Sequence, residues 1–387
     1  MIYLDNAATA PLDPAVYEAM LPYLRPGGVH GNASSAHAEG LKARNAVEGA
    51  RAQVAALIGA EVAEIIWTSG ATESNNLAIK GALEFRGARG AHVVTSRTEH
   101  KSVLDTCRYL ETQGVRVTYL VPQPDGRIAP AQVLAALTPE TALVSLMWVN
   151  NETGAIQDVA TLASQLRERG VLFHVDAAQA AGRIPIDLRA VPLDLLSLSG
   201  HKVYGPKGVG ALFVRKKPRA RLSPQMHGSG HEQGMRSGTL PTHQIVGMGE
   251  AFRIAGARLQ EDFAHLSALR ERLLAGVHAL PDVLLNAEAA PRVPGIVNLS
   301  FGGVEGESLR AALPEVALSS GSACSSATRE PSYVLRALGR SDELAGASLR
   351  FSMGRFTTAA DVEGAASQVV AQVRRLRALS PQAQDAA

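Results

Sequence analysis

Three short segments hold residues whose types and spacing suit one kind of chemistry. Ser69-Gly70-Ala71-Thr72-Glu73-Ser74-Asn75 follows a β-rich run with small residues and then a helix start. Backbone N–H groups at such a turn, reinforced by the helix dipole, suit a phosphate, although the same residues also serve as a plain helix cap. The Gly-Lys-Ser/Thr ending of a P-loop is missing. His174-Val175-Asp176-Ala177-Ala178-Gln179 ends a second β-rich run with a carboxylate and sets an amide three residues on. Ser199-Gly200-His201-Lys202 ends a third. A lysine at a buried strand end either snorkels to solvent or loses basicity and becomes an amine nucleophile. Its company decides: Asp176 is expected on the adjacent strand, and the phosphate-type turn on the same edge. A lysine amine, a carboxylate and a phosphate cradle are the parts that hold pyridoxal phosphate. The lysine bonds the aldehyde, the carboxylate keeps the pyridine nitrogen protonated so that the ring accepts electrons, and the helix N-terminus takes the phosphate.

These residues need a sheet that aligns them. Between about Ile65 and Val214 short β-rich runs alternate with helical stretches, the pattern of a largely parallel α/β sheet whose ligands sit at the carboxyl ends of its strands. The runs are Glu64 to Thr68, His92 to Thr95, Arg116 to Val121, Leu143 to Val149, Leu172 to Asp176, Asp194 to Ser199 and Gly210 to Val214. Several are almost unbroken apolar stretches, which predicts helices on both faces. The spacing predicts a helix from Thr161 to Arg169 stopped by Gly170. It predicts another from Thr242 to about Leu280, with Phe252, Ile254, Leu259, Phe263, Leu266, Leu269 and Leu273 as its apolar stripe. Pro281, Pro291 and Pro294 punctuate a change to a smaller α+β segment with strand-like Ile296 to Phe301 and Leu349 to Ser352. The expected division is a large domain over 15–255 and a small one from 1–14 and 256–387, with a frayed tail from Ser380 to Ala387.

Composition bounds the partners. The 387 residues carry 38 Lys+Arg against 36 Asp+Glu, a net charge of +2 that gives no argument for a nucleic-acid binder. No apolar run reaches the length of a membrane span, and Met1-Ile2-Tyr3-Leu4-Asp5 lacks the basic region of a signal peptide. Two cysteines, Cys107 and Cys324, are too few for a disulfide framework or a paired zinc site. The expectation is a cytoplasmic protein with no resident metal, no membrane and no nucleic acid. The basic run Arg215-Lys216-Lys217-Pro218-Arg219-Ala220-Arg221 reads as a solvated loop, with an acidic protein partner second and nucleic acid third.

The sequence also resembles a known family. Tyr3-Leu4-Asp5-Asn6-Ala7-Ala8-Thr9, Thr68 to Ser74, Thr98-Glu99-His100, Val149-Asn150-Asn151-Glu152, Ser199 to Lys202, Arg236-Ser237-Gly238-Thr239, Ser319 to Cys324 and Arg350-Phe351-Ser352 follow, in order, the pattern of cysteine desulfurases of the iron–sulfur-cluster-assembly and nitrogen-fixation branch. The resemblance implies the aspartate-aminotransferase-like fold, a homodimer, pyridoxal 5'-phosphate, and transfer of sulfur from L-cysteine with release of L-alanine. Carried over position by position, Lys202 anchors the cofactor, Asp176 partners its ring nitrogen, His100 stacks on the ring, and Gln179 bonds the ring hydroxyl with Asn151 nearby. Ala71, Thr72, Ser199 and His201 hold the phosphate, with Thr239 reaching across from the other subunit. Arg350 clamps the substrate carboxylate, a task suited to its planar fork, and Asn32 lies at the substrate end. Singly, several have bland alternatives: His100 as a core histidine, Arg350 as a surface charge.

Cys324 separates this chemistry from other uses of the cofactor. It lies in Ser319-Ser320-Gly321-Ser322-Ala323-Cys324-Ser325-Ser326-Ala327, a run of small residues with little to pack, and the loop of about 319–332 is expected to be mobile. As a thiolate it takes the sulfur and becomes a persulfide, to be passed to an iron–sulfur scaffold or another acceptor protein; it is also a candidate transient ligand of a nascent cluster. Cys107 reads as core filler on a helix. The alternatives are an aminotransferase or selenocysteine lyase on the same scaffold, or a catalytically silent partner-binding subunit. Departures from the family are Ala33 where proline is usual, Ala10 where threonine is common, and a chain that stops soon after Leu379-Ser380-Pro381, where cluster-assembly members often carry a longer scaffold-docking tail.

Overall fold

A computed structural model describes residues 1–87, 89–319 and 330–379. Among the described residues, twelve strands form three sheets. They are β1 (Ile2–Tyr3), β2 (Ile65–Thr68), β3 (His92–Ser96), β4 (Arg116–Leu120), β5 (Thr141–Met147), β6 (Leu172–Asp176), β7 (Leu195–Ser199), β8 (Gly210–Val214), β9 (Val283–Leu285), β10 (Ile296–Phe301), β11 (Val316–Ala317) and β12 (Ser348–Ser352). The main sheet has the order β2-β8-β7-β6-β5-β3-β4. Only β8 runs against its neighbours, so β2, β6 and β7 all deliver their carboxyl ends to one edge. The strands β2, β3, β5, β6, β7 and β8 are buried along their whole lengths, which is why their sequences read as continuous apolar runs rather than alternating ones.

The expected elements and the observed ones differ at informative places. β5 ends at Met147 instead of Val149, because the chain then pairs with its own continuation: Gln157 N donates to Trp148 O at 2.8 Å and Asn150 N to Ala155 O at 2.9 Å, closing an antiparallel bridge between Val149 and Ile156. The long helix spans Thr242–Val277. Its stripe is not wholly apolar: Phe263 is exposed, and the neighbouring Asp262 turns inward to meet Arg355 at 2.8 Å. The run after β8 is not simply solvated either, since Arg215 folds back onto the buried Asp194 while Lys217, Pro218 and Arg219 stay exposed. Cys107 sits on the Lys101–Thr112 helix with no exposed surface, and burial pushes its thiol up to about 12, so it is protonated packing.

Two hydrophobic clusters divide the interior around the long helix. Ile245, Met248, Phe252 and Ala255 pack with the main sheet, whereas Leu266, Leu269, Leu273 and Val277 pack with the antiparallel β12-β10-β9 sheet and the Ala359–Leu379 helix. The amino-terminal segment joins the second cluster. β1 pairs in parallel with β11, Leu4 is buried beside Phe351, and Asn6 N donates to Ser352 O at 3.1 Å. That path carries Asp5 to Thr9 to the edge of the main sheet.

Candidate active site

Three turns meet at the carboxyl ends of β2, β6 and β7. After β2, Gly70 precedes the Ala71–Arg86 helix, whose first-turn amides at Ala71 and Thr72 have no acceptor inside the helix. The turn sits hard against β8: a Cβ on Gly210 would lie 2.5 Å from Gly70 Cα and 2.6 Å from Leu198 O. After β6, buried Asp176 accepts from Asn75 Nδ2 on Oδ2 at 2.8 Å and from Ala178 N on Oδ1 at 3.0 Å. After β7, the short turn Gly200–Lys202 aims Lys202 at the amino-terminal segment, where Nζ donates to Ala7 O at 2.6 Å and to Ala8 O.

Histidines and amides complete the surround. His100 caps the Lys101–Thr112 helix, its Nδ1 accepting from Ser102 N at 3.1 Å, so the ring's proton belongs on Nε2. Burial pushes the His100 imidazole below its ordinary value, with Asp176 pulling it up and Lys202 pushing it down, so the ring is neutral near pH 7. Asn75 Nδ2 also donates to Ser102 Oγ at 2.8 Å, tying the Asp176 carboxylate to the His100 cap. His201 Nδ1 lies 3.1 Å from Thr9 Oγ1, and burial, then the charges of Lys202, Lys207 and Arg183, push it down to about 4. Gln179 gives Nε2 to Ala7 O at 2.8 Å and takes the Arg183 guanidinium on Oε1.

Arg350, on β12, forms the far wall. It is 1% exposed, yet it is far from idle: Nη2 meets Asp5 Oδ1 at 2.7 Å and Nη1 donates to Asn151 O at 2.9 Å. Its Nε and the Oδ1 of Asn151 are buried without a hydrogen-bond partner among the described residues. Buried polar atoms left this way cost free energy, and at a cavity wall they mark places where a ligand atom is expected.

Ala71, Thr72, His100, Asn151, Asp176, Gln179, Ser199, His201, Lys202 and Arg350 thus line one cavity of about 400 Å³. Two expected residues do not. Asn32 is exposed, with Oδ1 accepting from Ser34 N at 2.9 Å, and Thr239 is exposed at the end of a loop. Cys324 lies outside the described residues. The described residues flanking that segment are held near the cavity: Arg350 N donates to Ser319 O at 2.7 Å, and Ser332 Oγ donates to Glu152. Residues that the sequence reading left without a role are Asn75, Ser102, Asp5, Glu73 and Arg183. Asn75 had a local signal, falling one helical turn after Thr72, but Asp5 meets Arg350 only because distant strands pair.

The chain's similarity to known proteins agrees with this geometry. The aminotransferase class-V family model matches residues 2–364. Cysteine desulfurase IscS of Tolumonas auensis is 58% identical over 381 residues, 98% of this chain and 94% of that protein. The Pseudomonas aeruginosa protein of the same name is 57% identical over the same shares. Among solved structures, a NifS-like protein superposes with a TM-score of 0.89 at 32% identity, covering 97% of this chain and all of that one. SspA in complex with cysteine gives 0.83 at 37% identity, over 92% of this chain and 100% of that one. With a family match over nearly the whole length and relatives this similar end to end, the chain belongs to the class-V aminotransferases and, within them, to the cysteine desulfurases.

Proposed function

We propose that the cavity binds pyridoxal 5'-phosphate and L-cysteine, and that sulfur leaves the substrate as a persulfide on Cys324 while L-alanine is released. The observation that carries this reading is the convergence of Lys202, Asp176 and the free Ala71–Thr72 helix end on one cavity whose far wall is the buried guanidinium of Arg350. The donor set fits the cofactor: an amine for its aldehyde, a fixed carboxylate for its ring nitrogen, helix amides with Ser199 and His201 for its phosphate, and Gln179 and Asn151 for ring oxygen and neighbouring polar atoms. When bound, the cofactor supplies an electron sink that lets the bond between sulfur and the substrate's β-carbon break.

The chain's own groups do the rest. Asp176, fixed by Asn75 and Ala178, holds a negative charge where a protonated ring nitrogen needs it. Arg350 has an unfilled Nε for the substrate carboxylate, and Asp5 fixes the guanidinium's other end. Neutral His100 offers a proton at Nε2, and Lys202 Nζ is the second candidate for proton movement. In the net step the Cys324 thiol gains one sulfur atom and becomes a persulfide, while cysteine minus that sulfur is alanine, so atoms and electrons balance without an outside oxidant.

The same proposal includes a homodimer in which Thr239 completes the neighbour's phosphate site, acceptor proteins that take the persulfide sulfur for cluster assembly or thiolation, Asn32 at the substrate end, and a cytoplasmic location. The exposure of Thr239 supports the first of these, and no described helix is long and apolar enough to cross a membrane. It also keeps the division into 15–255 and 1–14 plus 256–387, which the two hydrophobic clusters support. The test is to incubate the protein with L-cysteine, quantify alanine, and look by mass spectrometry for one added sulfur on Cys324. Alanine formation with that adduct is expected, and Cys324→Ser should abolish sulfide release. Undiminished release by the variant would remove Cys324 from the mechanism.

A further inference from the structure

Glu73 puts a carboxylate where the proposed site has least use for one. It lies in the first turn of the Ala71–Arg86 helix and lines the cavity beside Ala71 and Thr72. An acidic residue at a helix N-terminus ordinarily stabilises the helix, but this end is also the one assigned to a phosphate, and two anions at one N-terminus repel each other. Two contacts compensate. Ser69 N donates to Glu73 Oε2 at 2.7 Å, and Arg236 donates Nε to Oε1 at 2.8 Å and Nη2 to Oε2 at 3.4 Å. The two side chains of the pair are only 13% and 18% exposed, so salt screens them weakly. Burial alone would push the Glu73 carboxyl up; the bonds to Arg236 and Ser69 outweigh it and hold it below the usual range.

Arg236 belongs to an arm whose shape is fixed independently. Glu232 and Gln233 both hold positive φ, 49° and 58°, a conformation that persists only when surroundings enforce it. The Glu232 carboxylate takes Arg51 Nη1 at 2.7 Å, Arg51 Nη2 at 2.9 Å and Trp67 N at 2.7 Å, filling both oxygens. A few residues past Arg236 the arm exposes Thr239.

We propose that Arg236 is a positioning residue for the cofactor phosphate. It cancels the Glu73 charge at the phosphate-binding helix end, and it ties a subunit's own cradle to the arm that presents Thr239 to a second copy of the chain. The inference rests on the pyridoxal phosphate reading above.

The test compares pyridoxal phosphate with pyridoxal, which lacks the phosphate, by titrating each into the cofactor-free protein and reading absorbance. Arg236→Met should weaken pyridoxal phosphate binding about tenfold or more while leaving pyridoxal within about twofold, because only the phosphate meets the uncompensated carboxylate. Adding Glu73→Gln to that variant should restore binding to within about threefold of the original protein, and Arg236→Lys, which keeps the charge, should stay within the same range. Equal weakening of both ligands by Arg236→Met, no recovery in the double variant, or equal loss with Lys and Met would each overturn the inference. An unaltered protein that binds pyridoxal phosphate no more tightly than pyridoxal would instead overturn the cofactor reading on which it rests.

Discussion

His174 lies two residues before Asp176 on β6, sealed between Ser145 Oγ at 2.8 Å and Ser197 Oγ at 2.9 Å on the strands to either side. Burial pushes its imidazole down to about 4. An unfolded histidine protonates near 6.5, so between about pH 6.5 and 4 the unfolded chain takes up a proton that the native chain refuses. The stability from keeping His174 neutral is complete above that window and falls as the pH drops through it, by roughly 2 kcal/mol between pH 7.5 and 5. His174→Gln should therefore show a shallower loss than the unaltered protein in urea unfolding at those two pH values. An identical slope would mean that the site takes up its proton in the native state. At this scale the sequence showed the chemistry-bearing side chains, because lysine, aspartate and histidine at strand ends stand out by type. It hid their supports: the carbonyls of Ala7 and Ala8 that receive Lys202 have no residue-type signature at all.

Among the elements, the turn after β2 depends on a residue from another strand. Gly210 begins β8 and leaves room for Gly70 to cross it, and a methyl group there would have backbone atoms on both sides at 2.5–2.6 Å. Gly210→Ala should push the Ser69–Thr72 turn outward, costing about 1–3 kcal/mol of stability. It should also weaken pyridoxal phosphate binding, which titration of the cofactor-free variant would reveal alongside its urea midpoint. Unchanged values in both would show that the turn can shift without consequence. The order of β-rich and helical runs was plain in the sequence, and β6, β8 and β10 begin and end where their apolar runs do. The exceptions follow from contacts between distant segments. β5 stops early because Val149 pairs with Ile156 instead of continuing along β6, and β1, β9 and β11 are too short for periodicity to announce them.

Across the whole molecule, Arg355 locks together the parts around the two cores. Its guanidinium meets Asp13 Oδ2 at 2.7 Å and Asp262 Oδ2 at 2.8 Å and lies 4.3 Å from the Tyr204 ring centroid, while its backbone N donates to Tyr204 Oη at 2.7 Å. Asp13 comes from the amino-terminal segment, Asp262 from the long helix, and Tyr204 from just past Lys202. Removing one member of such a buried set leaves uncompensated charge, so Arg355→Met should cost about 3–5 kcal/mol, read as a lowered urea midpoint. A loss below about 1 kcal/mol would place the cluster among surface ion pairs instead. The change of pattern marked by Pro281, Pro291 and Pro294 pointed to two domains but gave no hint of this junction, because its members are scattered along the chain. The pairing of the amino-terminal segment has a consequence for how the protein is made. Ile2 and Tyr3 leave the ribosome first, yet their ladder partners are Val316 and Ala317, and Asn6 waits for Ser352. Asp5, Ala7 and Ala8 can take their places at the site only after Ser352 has been made, so a chain cut before that strand has no finished pocket.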